Sequence, residues 1–165
     1  MITTRQGDLL EQVDLELIAH QTNCKGSMGA GIAKQIRARY PQTYEPYRKA
    51  CHTNGADLLG TFMAVSTDGR RVRMNRLVKG DCCMIVNLFG QNSYGTRRPQ
   101  TRYDKLEQAL TKLRDEMITR GIHTVGVPKY LGCGLAGGNW NTVYNILHRL
   151  FAYENRIELV IVELA

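Results

Sequence analysis

Two glycine-rich stretches carry the residue types best suited to chemistry. Residues 22–33 read T-N-C-K-G-S-M-G-A-G-I-A, and residues 131–140 read L-G-C-G-L-A-G-G-N-W. Each follows a short apolar run and leads into an amphipathic pattern, which makes each a strand-to-helix loop. Glycine lets backbone approach a ligand closely, and a helix start adds unpaired N–H groups at the positive end of the dipole. The N–H groups of Ser27, Met28, Gly29, Ala30 and Gly31, and those of Gly134, Leu135, Ala136, Gly137 and Gly138, are suited to cradle a diphosphate from two sides. One such loop is explained as well by a tight turn; a pair favours the anion. Neither loop carries the G-K-[ST] of nucleoside triphosphatases, and neither supplies G-x-G-x-x-G at a first strand.

Around these loops lie candidate side chains. His20 ends an apolar strand directly before the first loop, and imidazole titrates nearest neutrality, so it is the candidate general acid/base. The alternative is a histidine packed under the loop to hold its geometry. The other histidines, at 52, 123 and 148, fall on helices or a strand start and fit structural or solvent roles. The Asn23 amide offers a donor and an acceptor to a ligand hydroxyl; an Asx turn is the other reading, and the two roles are compatible. A third segment, Asn87 to Gly95 (N-L-F-G-Q-N-S-Y-G), leaves a buried strand. There Gln91, Asn92 and Ser93 offer polar contacts, Phe89 or Tyr94 an aromatic surface, and Arg97 and Arg98 positive charge. Lys25 is a lesser candidate for neutralising phosphate. Cys24 and Cys133 sit where a thiolate would be activated, yet no C-x5-R phosphatase loop accompanies them. The 5 cysteines lack zinc-type spacing, so neither a metal nor a cofactor is expected.

Placing those loops requires alternating strands and helices. Apolar runs at Glu16 to Gln21, Cys83 to Phe89, His123 to Pro128 and Ile157 to Leu164 predict strands. Leu106, Leu110, Leu113 and Met117 recur at helical spacing and predict a helix from Tyr103 to Arg120, stopped by Gly121. Further helices are expected at Gly31 to Tyr40, Gln42 to His52 and Asn141 to Tyr153, with Trp140 anchoring the last. Leu59 to Ser66 and Arg71 to Leu77 read as a hairpin around Asp68 and Gly69. The pattern is that of an α/β domain, a mixed central sheet between helical layers, with residues 1–165 as one unit.

The chain has 165 residues, 43% hydrophobic, with a formal net charge of +7, which favours anionic partners. No apolar stretch reaches the ~20 residues of a membrane span, and the start lacks the pattern of a signal peptide. A cytoplasmic monomer without membrane attachment is expected. Arg70, Arg71, Arg73, Arg76 and Lys79 crowd one segment, either a solvated hairpin face or a nucleic-acid contact.

In that order, these motifs resemble those of macrodomains, the ADP-ribose-binding α/β fold. Gly7, Asp8 and Leu9 match the G-D-[IL] motif whose Asp reads the adenine amino group. Ala19 to Asn23 (A-H-Q-T-N) and Gly29 to Ala33 (G-A-G-I-A, including Ile32) match the loop holding the distal ribose and diphosphate. Gly132 to Leu135 (G-C-G-L) resembles the second diphosphate loop. The N-C-K-G-S-M-G-A-G-I-A pattern followed by R-Y-P most resembles the branch containing ADP-ribose-1''-phosphate phosphatases and terminal ADP-ribose glycohydrolases. In the glycohydrolases, a Lys attacks the ribose and an Asp after G-C-G-L assists; Gln91 and Ala136 stand at the nearest positions here. The resemblance therefore implies hydrolysis of ADP-ribose-1''-phosphate without metal, with His20 matching a catalytic His of the phosphatase-like branch. The alternatives are removal of ADP-ribose from protein or nucleic acid, and a module that binds ADP-ribose or a related signalling nucleotide without turnover.

Overall fold

The computed structural model describes residues 1–164. Its strands are β1 (Ile2–Gln6), β2 (Leu17–Thr22), β3 (Phe62–Ser66), β4 (Val72–Met74), β5 (Met84–Phe89), β6 (Thr124–Pro128) and β7 (Glu158–Glu163). Its helices are α1 (Gly31–Arg39), α2 (Tyr44–Asn54), α3 (Tyr103–Arg120) and α4 (Trp140–Phe151). The strands form one mixed sheet in the order β1-β7-β6-β2-β5-β3-β4. Neighbours from β1 to β5 run parallel, while β3 is antiparallel to both β5 and β4.

A parallel strand covered on both faces must be apolar nearly throughout, and β5, M-I-V-N-L-F, is buried at every position. The four predicted strands appear within a residue or two of their expected bounds. β1 is an addition: I-T-T-R-Q has no apolar run, and it becomes a strand by pairing with β7. The predicted hairpin forms around Asp68, whose carboxylate accepts from Ser66 Oγ and Arg70 N–H. Its second strand is shorter than expected. Asn75 turns away at φ +56, donating its N–H to the Phe62 carbonyl and accepting from Phe62 N–H at Oδ1.

The two faces of the sheet are covered differently. On one, Ala19, Val86 and Leu88 meet the apolar faces of α3 and α4, including Leu110, Leu113, Leu147 and Phe151, in one continuous core. Each buried Val, Leu or Phe side chain there stabilises the fold by about 1.5–3 kcal/mol. On the other lie two smaller clusters. Leu9, Leu10, Ile18, Ile36 and Ile85 make one; Cys24, Met28, Tyr47, Met63 and Phe89 make the other. His20 and Asn87 are register partners on β2 and β5, two residues beyond Ile18 and Ile85, so they share that face. Among the described residues, no helix is long and apolar enough to cross a membrane.

Candidate functional site

The C-terminal ends of β2, β5 and β6 open into three loops, residues 23–30, 90–102 and 129–139, which enclose a cleft of about 570 Å³. This is where ligands bind in open α/β sheets, because the strand ends deliver loops and helix starts to one place.

The first loop is organised by Asn23. Its Oδ1 accepts from the N–H groups of Lys25 (3.0 Å) and Ser27 (3.2 Å), and its Nδ2 donates to the Ser27 carbonyl (2.9 Å). The Asx-turn reading of this residue is therefore what the geometry displays. From α2, the Tyr47 hydroxyl, buried beneath the loop, donates to Asn23 O (2.8 Å) and lies 2.9 Å from Asn23 Oδ1. The Tyr44 hydroxyl donates to the Gly26 carbonyl (2.7 Å). Ala30, extended at φ −148, precedes α1 and makes no side-chain cap. The N–H groups of Gly29, Ala30 and Gly31 consequently have no partner among the described residues and border the cleft. They form an anion-receptive helix start.

The second loop is organised by its own backbone. Gly138 N–H donates to Gly132 O (2.9 Å) and Gly137 N–H to Gly134 O (3.1 Å). A Cβ on Gly138 would lie 2.5 Å from the Gly132 carbonyl oxygen, so this crossing excludes any larger residue. The N–H groups of Gly134, Leu135 and Ala136 have no partner among the described residues. The start of α4 differs in carrying a side-chain cap: Asn139 Oδ1 accepts from Thr142 N–H (3.2 Å). The expectation of an uncapped helix start therefore holds for α1, whereas at α4 Asn139 takes one of the free donors.

A polar network joins the three loops. Gln21 Nε2 donates to Gln91 Oε1 (2.8 Å) and to Thr101 Oγ1 (2.9 Å). Gln91 Nε2 donates to Ser93 O (2.7 Å), and Thr101 Oγ1 to Gly132 O (2.6 Å). Gln91 is thus held as a neutral amide at the cleft wall, and Ala136 presents only a methyl group. Neither supplies a nucleophile or a base at neutral pH.

His20 is placed differently from its sequence expectation. The ring is fully buried and does not line the cleft. Its Nε2 lies 2.7 Å from Asn87 Oδ1, while its Nδ1 and Asn87 Nδ2 are buried without partners among the described residues. Desolvation lowers its pKa to about 4, so the ring is neutral at physiological pH. As placed, it props the strand end beneath the first loop and exchanges no proton with the cleft. The cysteines are equally unsuited to attack: burial pushes the Cys24 thiol up to about 12 and Cys133 to about 11. Lys25 is exposed and outside the cleft lining.

Of the residues singled out from sequence, Asn23, Ser27, Gly29, Ala30, Gly31, Ile32, Gln91, Tyr94, Gly132, Gly134, Leu135 and Ala136 line the cleft. The others do not. Leu9 and Met28 are core residues, and Phe89 is fully buried, stacked on Tyr47 at 6.0 Å. The Asp8 carboxylate caps a short 3-10 turn by accepting from Leu10 N–H. Asn92 and Ser93 give backbone carbonyls to Cys24 N–H and Gln91 Nε2, and Gly137 and Gly138 form the underside of their loop. Lining residues missed from sequence include Gln21, Thr96, Lys129 and Tyr130. Lys129 pairs with Glu163 at 3.2 Å. Tyr130 holds φ +68 and packs edge-on against Trp140 at 5.7 Å. Their place directly after a buried strand was the available signal.

Residues 19–147 match the family model described as Macro domain. The chain is 32% identical over 114 residues to an ADP-ribose 1''-phosphate phosphatase of Saccharomyces cerevisiae, covering 68% of this chain and 60% of that protein. It is 30% identical over 164 residues to a DNA ADP-ribosyl glycohydrolase of Mycobacterium tuberculosis, covering 98% of this chain and 42% of that protein. The chain thus spans less than two thirds of either relative. Among solved structures, the macrodomain of Mycobacterium tuberculosis DarG is similar with a TM-score of 0.77 at 31% identity, over 98% of this chain and 97% of that one.

Proposed function

The chain belongs to the macro domain family, and from that premise we propose that its cleft binds ADP-ribose and removes the phosphate from ADP-ribose-1''-phosphate. The observation that carries the reading is the facing pair of unpartnered N–H sets, Gly29 to Gly31 and Gly134 to Ala136. They suit a diphosphate, whose oxygens accept but cannot donate. The lining holds no carboxylate, imidazole or thiol. A glycosidic bond attacked by a protein nucleophile is poorly served by such a cleft. Phosphoryl transfer asks mainly for positioning and stabilisation of charge: water attacks phosphorus, the P–O bond to the ribose breaks, and ADP-ribose leaves with a proton that the attacking water gives up, while backbone donors hold the oxygens. The Gln21–Gln91–Thr101 network fixes the cleft wall, and His20, on the opposite face of β2, is a positioning residue for the strand end that leads into the first loop. The phosphatase of Saccharomyces cerevisiae among the relatives supports this reading.

The test is to incubate the protein with ADP-ribose-1''-phosphate and follow phosphate and ADP-ribose together. Equal release of both is expected. ADP-ribose binding by calorimetry without phosphate release would leave a non-catalytic binding module. The second reading, removal of ADP-ribose from nucleic acid, is favoured by the glycohydrolase relative matched over 98% of this chain. It predicts release of ADP-ribose from a modified oligonucleotide by the native sequence. If only a Gln91→Lys/Ala136→Asp variant releases it, this second reading fails.

A further inference from the structure

The segment from Arg70 to Lys79 takes no part in the cleft. Arg70, Arg71, Arg73, Arg76 and Lys79 are all exposed, and no acidic residue interrupts them. With Arg120 at the end of α3, part of this group surrounds a second hollow of about 450 Å³, lined by Arg73, Arg76, Leu77, Val78, Lys79 and Arg120. Four of its six lining residues are cationic.

A charged edge strand is commonly a guard against edge-to-edge pairing, and long cations there are usually free to move. Here the backbone carrying them is pinned. The strand ends at Asn75, whose side chain and N–H both bond Phe62. Leu77 is buried in the α3 core, and its N–H donates to Glu116 Oε1 (3.1 Å). Lys79 Nζ donates to the carbonyl of Gly121 (2.8 Å), just beyond α3. These anchors hold the segment against the C-terminal half of α3 and turn Arg76 outward. Glu116 is the acid packed beside the hollow, and it is taken by Arg120 at 2.8 Å and by Leu77 N–H. The Arg76 side chain makes no hydrogen bond or ion pair among the described residues, and the only side-chain bond Arg73 makes there is to the adjacent Val72 carbonyl.

We propose that this basic edge, formed by β4, residues 75–79 and the end of α3, is a docking surface for the phosphodiester backbone of a nucleic acid. Charge complementarity selects the partner: fixed cations along a strand edge match a polymer with a regularly spaced phosphate. No aromatic ring lines the hollow, so contacts are to phosphates and recognition is independent of base sequence. The surface is separate from the cleft. The cleft borders the start of α3, where Arg102 N–H bonds the Gly90 carbonyl, and α3's 18 residues span about 27 Å to the hollow. It stands whether or not the cleft is a phosphatase.

The test uses fluorescence anisotropy with a fluorescein-labelled 20-nucleotide single strand and the corresponding duplex, titrated with the full chain at several salt concentrations. Both should bind, and more weakly as salt rises. Arg73→Ala/Arg76→Ala should weaken binding at least ten-fold at low salt. It should also reduce the log–log salt slope by about 1.4 to 1.8, the release expected for two lost phosphate contacts. ADP-ribose affinity by calorimetry should not change, which also reports that the variant is folded; Arg76→Glu provides an independent single-site check. Failure of both oligonucleotides to bind at low salt would overturn the proposal, as would wild-type affinity in both variants. So would displacement of the oligonucleotide by ADP-ribose, which would put it in the cleft, or tighter binding of polyglutamate, which would make the partner an acidic protein.

Discussion

In the first ligand loop, side chains hold the backbone: Asn23 folds residues 23–27 around its own amide, and Tyr47 and Tyr44 reach up from α2 to fasten it. In the second, the backbone holds itself, crossing so closely that Gly138 admits no side chain. Both present unpartnered N–H groups to one cleft. They also differ at the helix that follows, since α1 begins without a side-chain cap and α4 is capped by Asn139. A loop built from side chains is broken by deleting atoms at a distance, whereas a loop built from backbone is broken by adding atoms within it.

The sharpest attack on this contrast is Gly138→Ala. The new methyl meets a carbonyl oxygen that cannot withdraw without losing the Gly138–Gly132 bond. Thermal melts should show a loss of about 1–3 kcal/mol, and calorimetry a fall in ADP-ribose affinity beyond ten-fold. Unchanged affinity would mean that the second loop is not a backbone-built ligand site. Acid should act on the other side. The folded pKa of His20, about 4, lies below its unfolded value of 6.5, so between them the unfolded chain binds more protons. Its contribution is fully present above 6.5 and is lost as pH falls toward 4, at most about 3 kcal/mol. Denaturant titrations across that window should show the slope in the native protein and lose it in His20→Gln.

Tyr47→Phe tests the clamp. Removing the hydroxyl leaves the buried Asn23 carbonyl without this donor, a cost of about 1–3 kcal/mol. ADP-ribose affinity should drop about five-fold in parallel, and Tyr44→Phe, at a partly exposed bond, should do less. Equal and negligible effects would remove α2 from the account. The smallest effect belongs to Gly134→Ala. Nothing lies within 4 Å of the place its methyl would take, and its φ is outside the left-handed region. Stability should hold within about 0.5 kcal/mol. Affinity should fall a few-fold if a phosphate packs against that glycine.

Long patterns were legible from sequence wherever burial imposes a period. α3 spans the residues that its leucine spacing predicts, and β2, β5, β6 and β7 emerge from apolar runs. β1 was not legible, since its strand identity comes from partners on β7. The glycines of both loops were visible, but their allotment between lining and support was not. That depends on which N–H groups find internal acceptors, a three-dimensional question. Tyr130 escaped notice because nothing in its type announces a positive φ. In β2, His20 shares a face with Ile18 and Thr22, while Gln21 points to the other side, where Thr101 and Gln91 lie. Both faces of β2 are covered, so neither parity nor position at the strand end distinguishes a cleft residue from a buried one there.

The pairing of β1 with β7 sets an order on assembly during synthesis. Thr3 and Glu158 bond across 155 intervening steps of sequence, whereas β2 to β6 and the helices between them find partners sooner. As the chain emerges from the ribosome, both glycine loops and the strands that carry them are available before β7 exists. Residues 2–6 must wait as an unpaired strand until then. Closing that edge is the most non-local step of folding, and the one most exposed to mispairing on the way.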